Sequence, residues 1–151
     1  MVRLNLGCGS RHIDEYTNID MDATCEPDVL LDICAGLPYD DNSVSEVRAF
    51  DFLEHIPASK TIYVVDEIWR VLKPGGKFEH FTPSTDGRGA FQDPTHISFW
   101  NINSWLYFCE GTWAGMYGIK SRFKVEYIRD IITSDALNII HTHGILRKEQ
   151  T

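Results

Sequence analysis

The first 22 residues constrain the fold of this chain more than any later stretch. An apolar run, Val2-Arg3-Leu4-Asn5-Leu6, leads directly into Gly7-Cys8-Gly9, and Asn18-Ile19-Asp20 closes the segment. This pattern reads as a short buried strand, a glycine turn and a second strand that ends in a carboxylate. Glycine has no Cβ, so Gly-x-Gly lets the backbone turn sharply and come close to a ligand. An acid at the end of the second strand is where a doubly wound α/β sheet grips the two hydroxyls of a ribose.

The remaining elements follow in chain order. Asn18 to Met21 forms the second expected strand, and Asp28-Val29-Leu30-Leu31-Asp32 the third. Leu37-Pro38-Tyr39-Asp40-Asp41-Asn42-Ser43 has the proline, Asx and serine of a surface connection. Val44 to Phe52 is the fourth strand. Ile62, Val65, Ile68, Trp69 and Leu72 recur at three- and four-residue intervals and predict a helix with one apolar stripe, with Ser59 as its N-cap. Lys73-Pro74-Gly75-Gly76 stops that helix and reverses the chain, and Lys77 to Thr82 returns as the fifth strand. Strand, helix and strand so arranged predict a parallel pair.

Beyond Pro83, Trp105 to Glu110 is expected to be helical, capped by Asn103 or Ser104. Arg122 to Arg129 and Ile139 to Leu146 read as the last two strands, paired antiparallel. The expected fold class is therefore α/β: a Rossmann-like three-layer sandwich on a mostly parallel seven-stranded sheet whose last strand is antiparallel. Residues 1–151 are expected to form a single domain, since no repeat, low-complexity segment or linker divides them.

Composition narrows the class of partner. The formal net charge of −8 argues against a broad grip on nucleic-acid phosphates. No apolar run reaches the roughly 20 residues of a membrane span. The start of the chain lacks the pattern of a secretory signal, which makes cytoplasmic location the default expectation. Cys8, Cys25, Cys34 and Cys109 show no C-x-x-C spacing and read as buried thiols of a reducing compartment.

Five of these motifs, in order and at sensible spacing, resemble the class I S-adenosylmethionine-dependent methyltransferases. Leu4-Asn5-Leu6-Gly7-Cys8-Gly9 resembles their glycine-rich first motif, and Asn18-Ile19-Asp20 their second strand with its ribose-binding acid. Asp32 with Leu37-Pro38-Tyr39-Asp40-Asp41-Asn42-Ser43 is similar to the third motif and its sequel. Phe52-Leu53-Glu54-His55-Ile56 is similar to the segment after strand four, and Arg70-Val71-Leu72-Lys73-Pro74-Gly75-Gly76 to the turn before strand five. Asp93-Pro94-Thr95-His96 is similar to a feature of one small branch of the family. The likeness spans roughly residues 2 to 108.

It also departs from the pattern. Arg11 stands at the third glycine of the first motif, and Asn5 where the family has an acid. Only 10 residues lie between Gly9 and Asp20, whereas a parallel crossover usually takes a dozen or more. The first helix must shrink to a turn. Arg11 could then meet the methionyl carboxylate of the cofactor, or sit solvated in its loop.

The resemblance implies S-adenosyl-L-methionine as cofactor. Gly7, Cys8 and Gly9 would bring main chain to it, and Asp20 would accept the ribose hydroxyls. Met21 would pack on the adenine, while Asp32 and Ile33 would meet its edge; Phe50 and Leu53 lie at the end of strand four. His55, Asp93 and His96 are the candidate catalytic groups facing an acceptor, which a small molecule, a sugar or a peptide would supply. Each has a structural alternative: Asp20 as a strand-end cap, Asp32 in an Asx turn, His55 bracing the next helix, Asp93 and His96 in a self-capped turn. His141 and His143 share a strand face, but two histidines without a third ligand make no metal site, so none is expected. So small a core can use a homodimer to cover its site. Two other functions compete with transfer: a module that binds the cofactor without turning it over, and a nicotinamide-dependent oxidoreductase. The latter lacks its G-x-G-x-x-G, since Ser10, Arg11 and His12 follow Gly9.

Overall fold

The computed structural model describes residues 1–109 and 111–150, with residue 112 as backbone only. Seven strands, β1 (Val2–Leu6), β2 (Thr17–Asp20), β3 (Val29–Leu30), β4 (Val44–Phe50), β5 (Leu72–Pro83), β6 (Phe123–Ser134) and β7 (Ile139–Lys148), form one sheet. Their spatial order is β3-β2-β1-β4-β5-β7-β6. The first five pair in parallel, and β7 runs antiparallel to both β5 and β6. The chain is thus an α/β, Rossmann-like domain on a mixed, mostly parallel sheet. Among the described residues, no helix is long and apolar enough to cross a membrane.

Among the described residues, one long helix, α1 (Thr61–Val71), and three short ones, α2 (Gly89–Gln92), α3 (Ile102–Leu106) and α4 (Gly111–Met116), accompany the sheet. Val64, Val65, Ile68 and Val71 of α1 are buried at helical spacing. They join Leu4, Leu6, Val47, Ala49, Phe78, Trp105, Phe123 and Leu146 in one core. Because side chains alternate along a strand, the residues between them point to the opposite face. There Glu46, Arg48 and Phe50 of β4, Lys77, Glu79 and Phe81 of β5, and His141, His143 and Arg147 of β7 are only half-buried. That face carries the loop between β1 and β2, where Tyr16 donates to Glu46, and ion pairs such as Lys77–Glu46 at 2.6 Å.

How so short a crossover holds its shape follows from three polar side chains. Asn5 Nδ2 donates to the Arg11 carbonyl and to Asn18 Oδ1, both at 2.9 Å. Asn18 Oδ1 also accepts from Ile13 N, and its backbone and side-chain nitrogens donate to Asp28 at 2.7 and 2.9 Å. Asn5 and Asn18 are 5% exposed, so these bonds form in a low-dielectric setting where they are strong. Asn5, the departure from the family acid, is therefore a bolt for the shortened loop.

Several boundaries differ from the sequence-based expectation. Ser59 does not cap α1: it lies in a 3-10 turn, Ala58–Lys60, and the helix begins at Thr61 without a side-chain cap. Lys73 to Gly76 bulge within β5, between the pairs Val44–Leu72 and Glu46–Lys77, rather than forming a separate turn. Strand β4 stops at Phe50 because Asp51 takes a left-handed φ of 49°. The third strand shrinks to two residues, since Asp28 is used by Asn18 and Asp32 caps a turn by accepting from Cys34 N. Helix α3 starts earlier than expected, capped by Asn101 with Ser104 returning the bond; Glu110, at the expected end of that helix, lies outside the described residues.

Candidate functional site

The carboxyl ends of β1, β2 and β4 meet at two adjoining cavities that share Gly7, Gly9 and Asp51. The first, of about 290 Å³, is lined by Asp20, Met21, Asp32, Ile33, Phe52 and His55 among others. The second, of about 320 Å³, holds Asn5, Cys8, Arg11, Arg48 and Phe50. Openings at this edge are where parallel α/β sheets bind ligands.

The glycine turn divides the two. Gly7 has a φ of 61°, and a Cβ there would stand 2.1 Å from the Phe52 ring. Gly9 has a φ of 50°, and a Cβ there would meet nothing within 4 Å. Its surroundings are a space a ligand can enter. Gly9 N donates to Asp20 Oδ2 at 2.8 Å, and Asp22 N to Oδ1 at 2.9 Å. Each carboxylate oxygen keeps a further lone pair, so Asp20 is held in place and can still accept a pair of hydroxyls.

Asp51 forms the floor between the cavities. Arg11 Nη1 and His141 Nε2 lie on its two oxygens, both at 3.2 Å. Burial opposes ionisation of Asp51, but the hydrogen bond from His141 and the charge of Arg11 outweigh it and hold the carboxyl below its usual range. Arg11 thus spans the loop to strand four, although its side chain remains 74% exposed.

A second cluster lies at the His55 end of the cleft. Glu54 is 2% exposed and its Oε2 has no hydrogen-bond partner. Burial pushes its carboxyl up to about 8, with the charges of Asp51 and Asp93 adding to the effect. His55 Nε2 is 3.9 Å from Glu54 Oε1, and the His55 and His96 rings meet edge to face at 5.0 Å. Asp93 Oδ2 lies 3.5 Å from His96 Nε2. Main-chain bonds from Ile97 and Ser98 to the Glu54 carbonyl tie the two loops together.

Of the residues singled out from sequence, Gly7, Gly9, Asp20, Met21, Asp32 and Ile33 line the first cavity, and Cys8 and Phe50 the second. Met21 is 69% exposed, open to whatever enters. Leu53 is a correction: it is fully buried in the core and lines neither cavity, because β4 ends three residues earlier and a 3-10 turn rolls its side chain inward. His55, Asp93 and His96 do come together. Burial and the charge of Asp20 raise the Cys8 thiol, which makes it no activated nucleophile. Sequence reasoning gave no role to Phe52, packed on Gly7, and could not show that Glu54 is buried. His141 and His143 share a face as expected, each on its own carboxylate, Asp51 and Glu79.

The strand order and the glycine–acid cleft define the fold of S-adenosylmethionine-dependent methyltransferases. The chain matches the family described as a methyltransferase domain over residues 4–79, half of its length, and belongs to that family. No curated protein matches it by sequence. Among solved structures it is similar to a SAM-dependent methyltransferase from Methanosarcina mazei, with 17% identity, a TM-score of 0.66, and coverage of 99% of this chain and 92% of that one. A SAM-dependent methyltransferase from Archaeoglobus fulgidus gives 13% identity, a TM-score of 0.71 and coverage of 97% and 85%. The [4+2]-cyclase SpnF gives 17% identity, a TM-score of 0.70 and coverage of 99% and 75%.

Proposed function

We propose that this protein transfers a methyl group from S-adenosyl-L-methionine to a small-molecule, sugar or peptide acceptor. The observation that carries this reading is Asp20, anchored by the Gly9 amide beside a space that only a glycine leaves open. That cradle fits a nucleoside whose ribose meets the carboxylate. Asp32 and Ile33 would hold the adenine edge. The methionyl end would lie toward Cys8, Arg11 and Phe50, where Arg11 would leave Asp51 or bridge both anions.

The bound cofactor supplies an activated methyl on a sulfonium, so the chain's own work is alignment. Positioning of this kind contributes up to about 7–11 kcal/mol in well-oriented reactions. His55, Asp93 and His96, brought together at this end of the cleft, would receive the acceptor. The net charge of −8 supports an acceptor other than nucleic acid.

Calorimetric titration with S-adenosylmethionine, S-adenosylhomocysteine and NAD on one preparation tests the reading. Binding of the first two, lost in Asp20→Ala, is expected. A response to NAD alone would overturn it, and binding without turnover on any acceptor would favour a non-catalytic module.

A further inference from the structure

The Glu54 corner holds more than an acceptor contact requires. Glu54, His55 and His96 each offer one ligand atom, and these atoms lie within 4.8 Å of one another. Glu54 is 2% exposed, and its Oε2 lacks a hydrogen-bond partner. A buried carboxylate oxygen left bare is costly unless something meets it.

The two imidazoles are already arranged as metal ligands are. His96 Nδ1 is 3.1 Å from the Ala90 carbonyl, and His55 Nδ1 is 3.3 Å from the Thr95 carbonyl. A carbonyl only accepts, so Nδ1 is the donor in each contact, and in the neutral form of each ring Nε2 is then the acceptor and the ligating nitrogen. His55 turns that Nε2 toward Glu54. An imidazole fixed through its other nitrogen by a backbone carbonyl is the usual outer support of a metal-bound histidine. Asp93, with Oδ2 beside His96 and Oδ1 accepting from Thr95 N and Oγ1, stands at the solvent side of the cluster.

We propose that Glu54, His55 and His96 bind a divalent transition-metal ion, with zinc the best match to two imidazoles and one carboxylate. Ligands about 2 Å from zinc stand about 3.3 Å apart, so the set must contract by about 1.5 Å at most. Turning the His55 side chain, 40% exposed, supplies much of that movement. Three protein ligands leave one coordination position open, and His55 also lines the cofactor cleft. The inference rests on the cluster's geometry and does not depend on methyl transfer.

Zinc titrated into untagged, metal-free full-length protein, without cofactor or acceptor, is the test, with cobalt as a spectroscopic replacement. The expected result is one equivalent of zinc per chain and a tetrahedral cobalt spectrum. Affinity should fall about 100-fold or more in His55→Gln and Glu54→Gln, and stay unchanged in His143→Gln, whose imidazole pairs with Glu79 elsewhere. His55 is exposed enough that its variant should keep the wild-type melting temperature. Absence of saturable zinc binding would overturn the proposal. So would affinity undiminished in His55→Gln, or lost in His143→Gln.

Discussion

His80 lies flat against Trp105, with ring centroids 3.6 Å apart and planes inclined by 18°. The imidazole is fully buried beneath the helical layer, and neither ring nitrogen has a hydrogen-bond partner. Burial drives it well below the usual histidine range, with the charge of His143 adding to the shift. The folded protein therefore keeps this ring neutral.

A pH dependence follows with a definite sign. Below about 6.5 the unfolded chain protonates this histidine while the folded one resists, so the unfolded state binds more protons. Stability associated with His80 should be complete above that pH and decline as pH falls, by up to about 1.4 kcal/mol per unit. Urea midpoints at pH 7.5 and 5.5 should differ less in His80→Leu than in the wild type. An equal slope in both proteins would refute the assignment.

Gly144 exists for the same ring. A Cβ at this position would stand 2.2 Å from His80 Nε2 across the β5–β7 pair. Gly144→Ala should cost about 1–3 kcal/mol, as overpacking a filled core does. In the background of His80→Ala the same change should cost much less, because the colliding atoms are gone. Denaturation of the four proteins gives the coupling directly, and additive effects would show that the clash is relieved some other way.

Much of this was legible in the sequence, for a physical reason. Alternation and helical spacing are local, so β1, β4, α1 and β7 were found near their places, and Gly7, Gly9 and Asp20 meet where strand ends predict. Local chemistry that admits several solutions was not legible. Asn101, Asn103 and Ser104 are all competent caps, and only the backbone chooses Asn101. Leu53 is apolar, and an apolar residue after a strand suits cleft and core alike; its full burial decides. The burial of Glu54 follows only once the loop carrying His96 closes over it. Long-range enclosure leaves no periodic trace.

Lys148, near the end of β7, ties the sheet to the end of α1. Its Nζ donates to Asn42 Oδ1 and the Trp69 carbonyl, both at 2.8 Å, and to the Arg70 carbonyl at 3.3 Å. It also lies 4.1 Å from the centre of the Trp69 ring. A cation at a helix C-terminus complements the free carbonyls there. Lys148→Met keeps most of the stem's packing but takes this donor from Asn42 Oδ1 and the Trp69 carbonyl, while the Arg70 carbonyl still accepts from Asn42 N, and should cost about 1–3 kcal/mol in chemical denaturation. A change within about 0.5 kcal/mol, the size of an ordinary surface substitution, would contradict this role.

Gly9 and Asp20 separate ligand affinity from fold. A Cβ at Gly9 meets no protein atom, so Gly9→Ala pays only for its left-handed φ of 50°, about 1–2 kcal/mol. That methyl would nonetheless stand in the open space beside Asp20, where the cofactor is proposed to lie. Asp20→Asn keeps one amide oxygen for the Gly9 or Asp22 amide while removing the charge that strengthens bonds to ribose hydroxyls. Both variants should remain folded by circular dichroism, and both should bind S-adenosylhomocysteine about 10- to 100-fold more weakly by calorimetry, equivalent to about 1.4–2.7 kcal/mol. Weakened binding in Asp20→Asn with full affinity in Gly9→Ala would keep the ribose contact but move the ligand away from the glycine turn. Full affinity in both would place the cofactor elsewhere on the sheet.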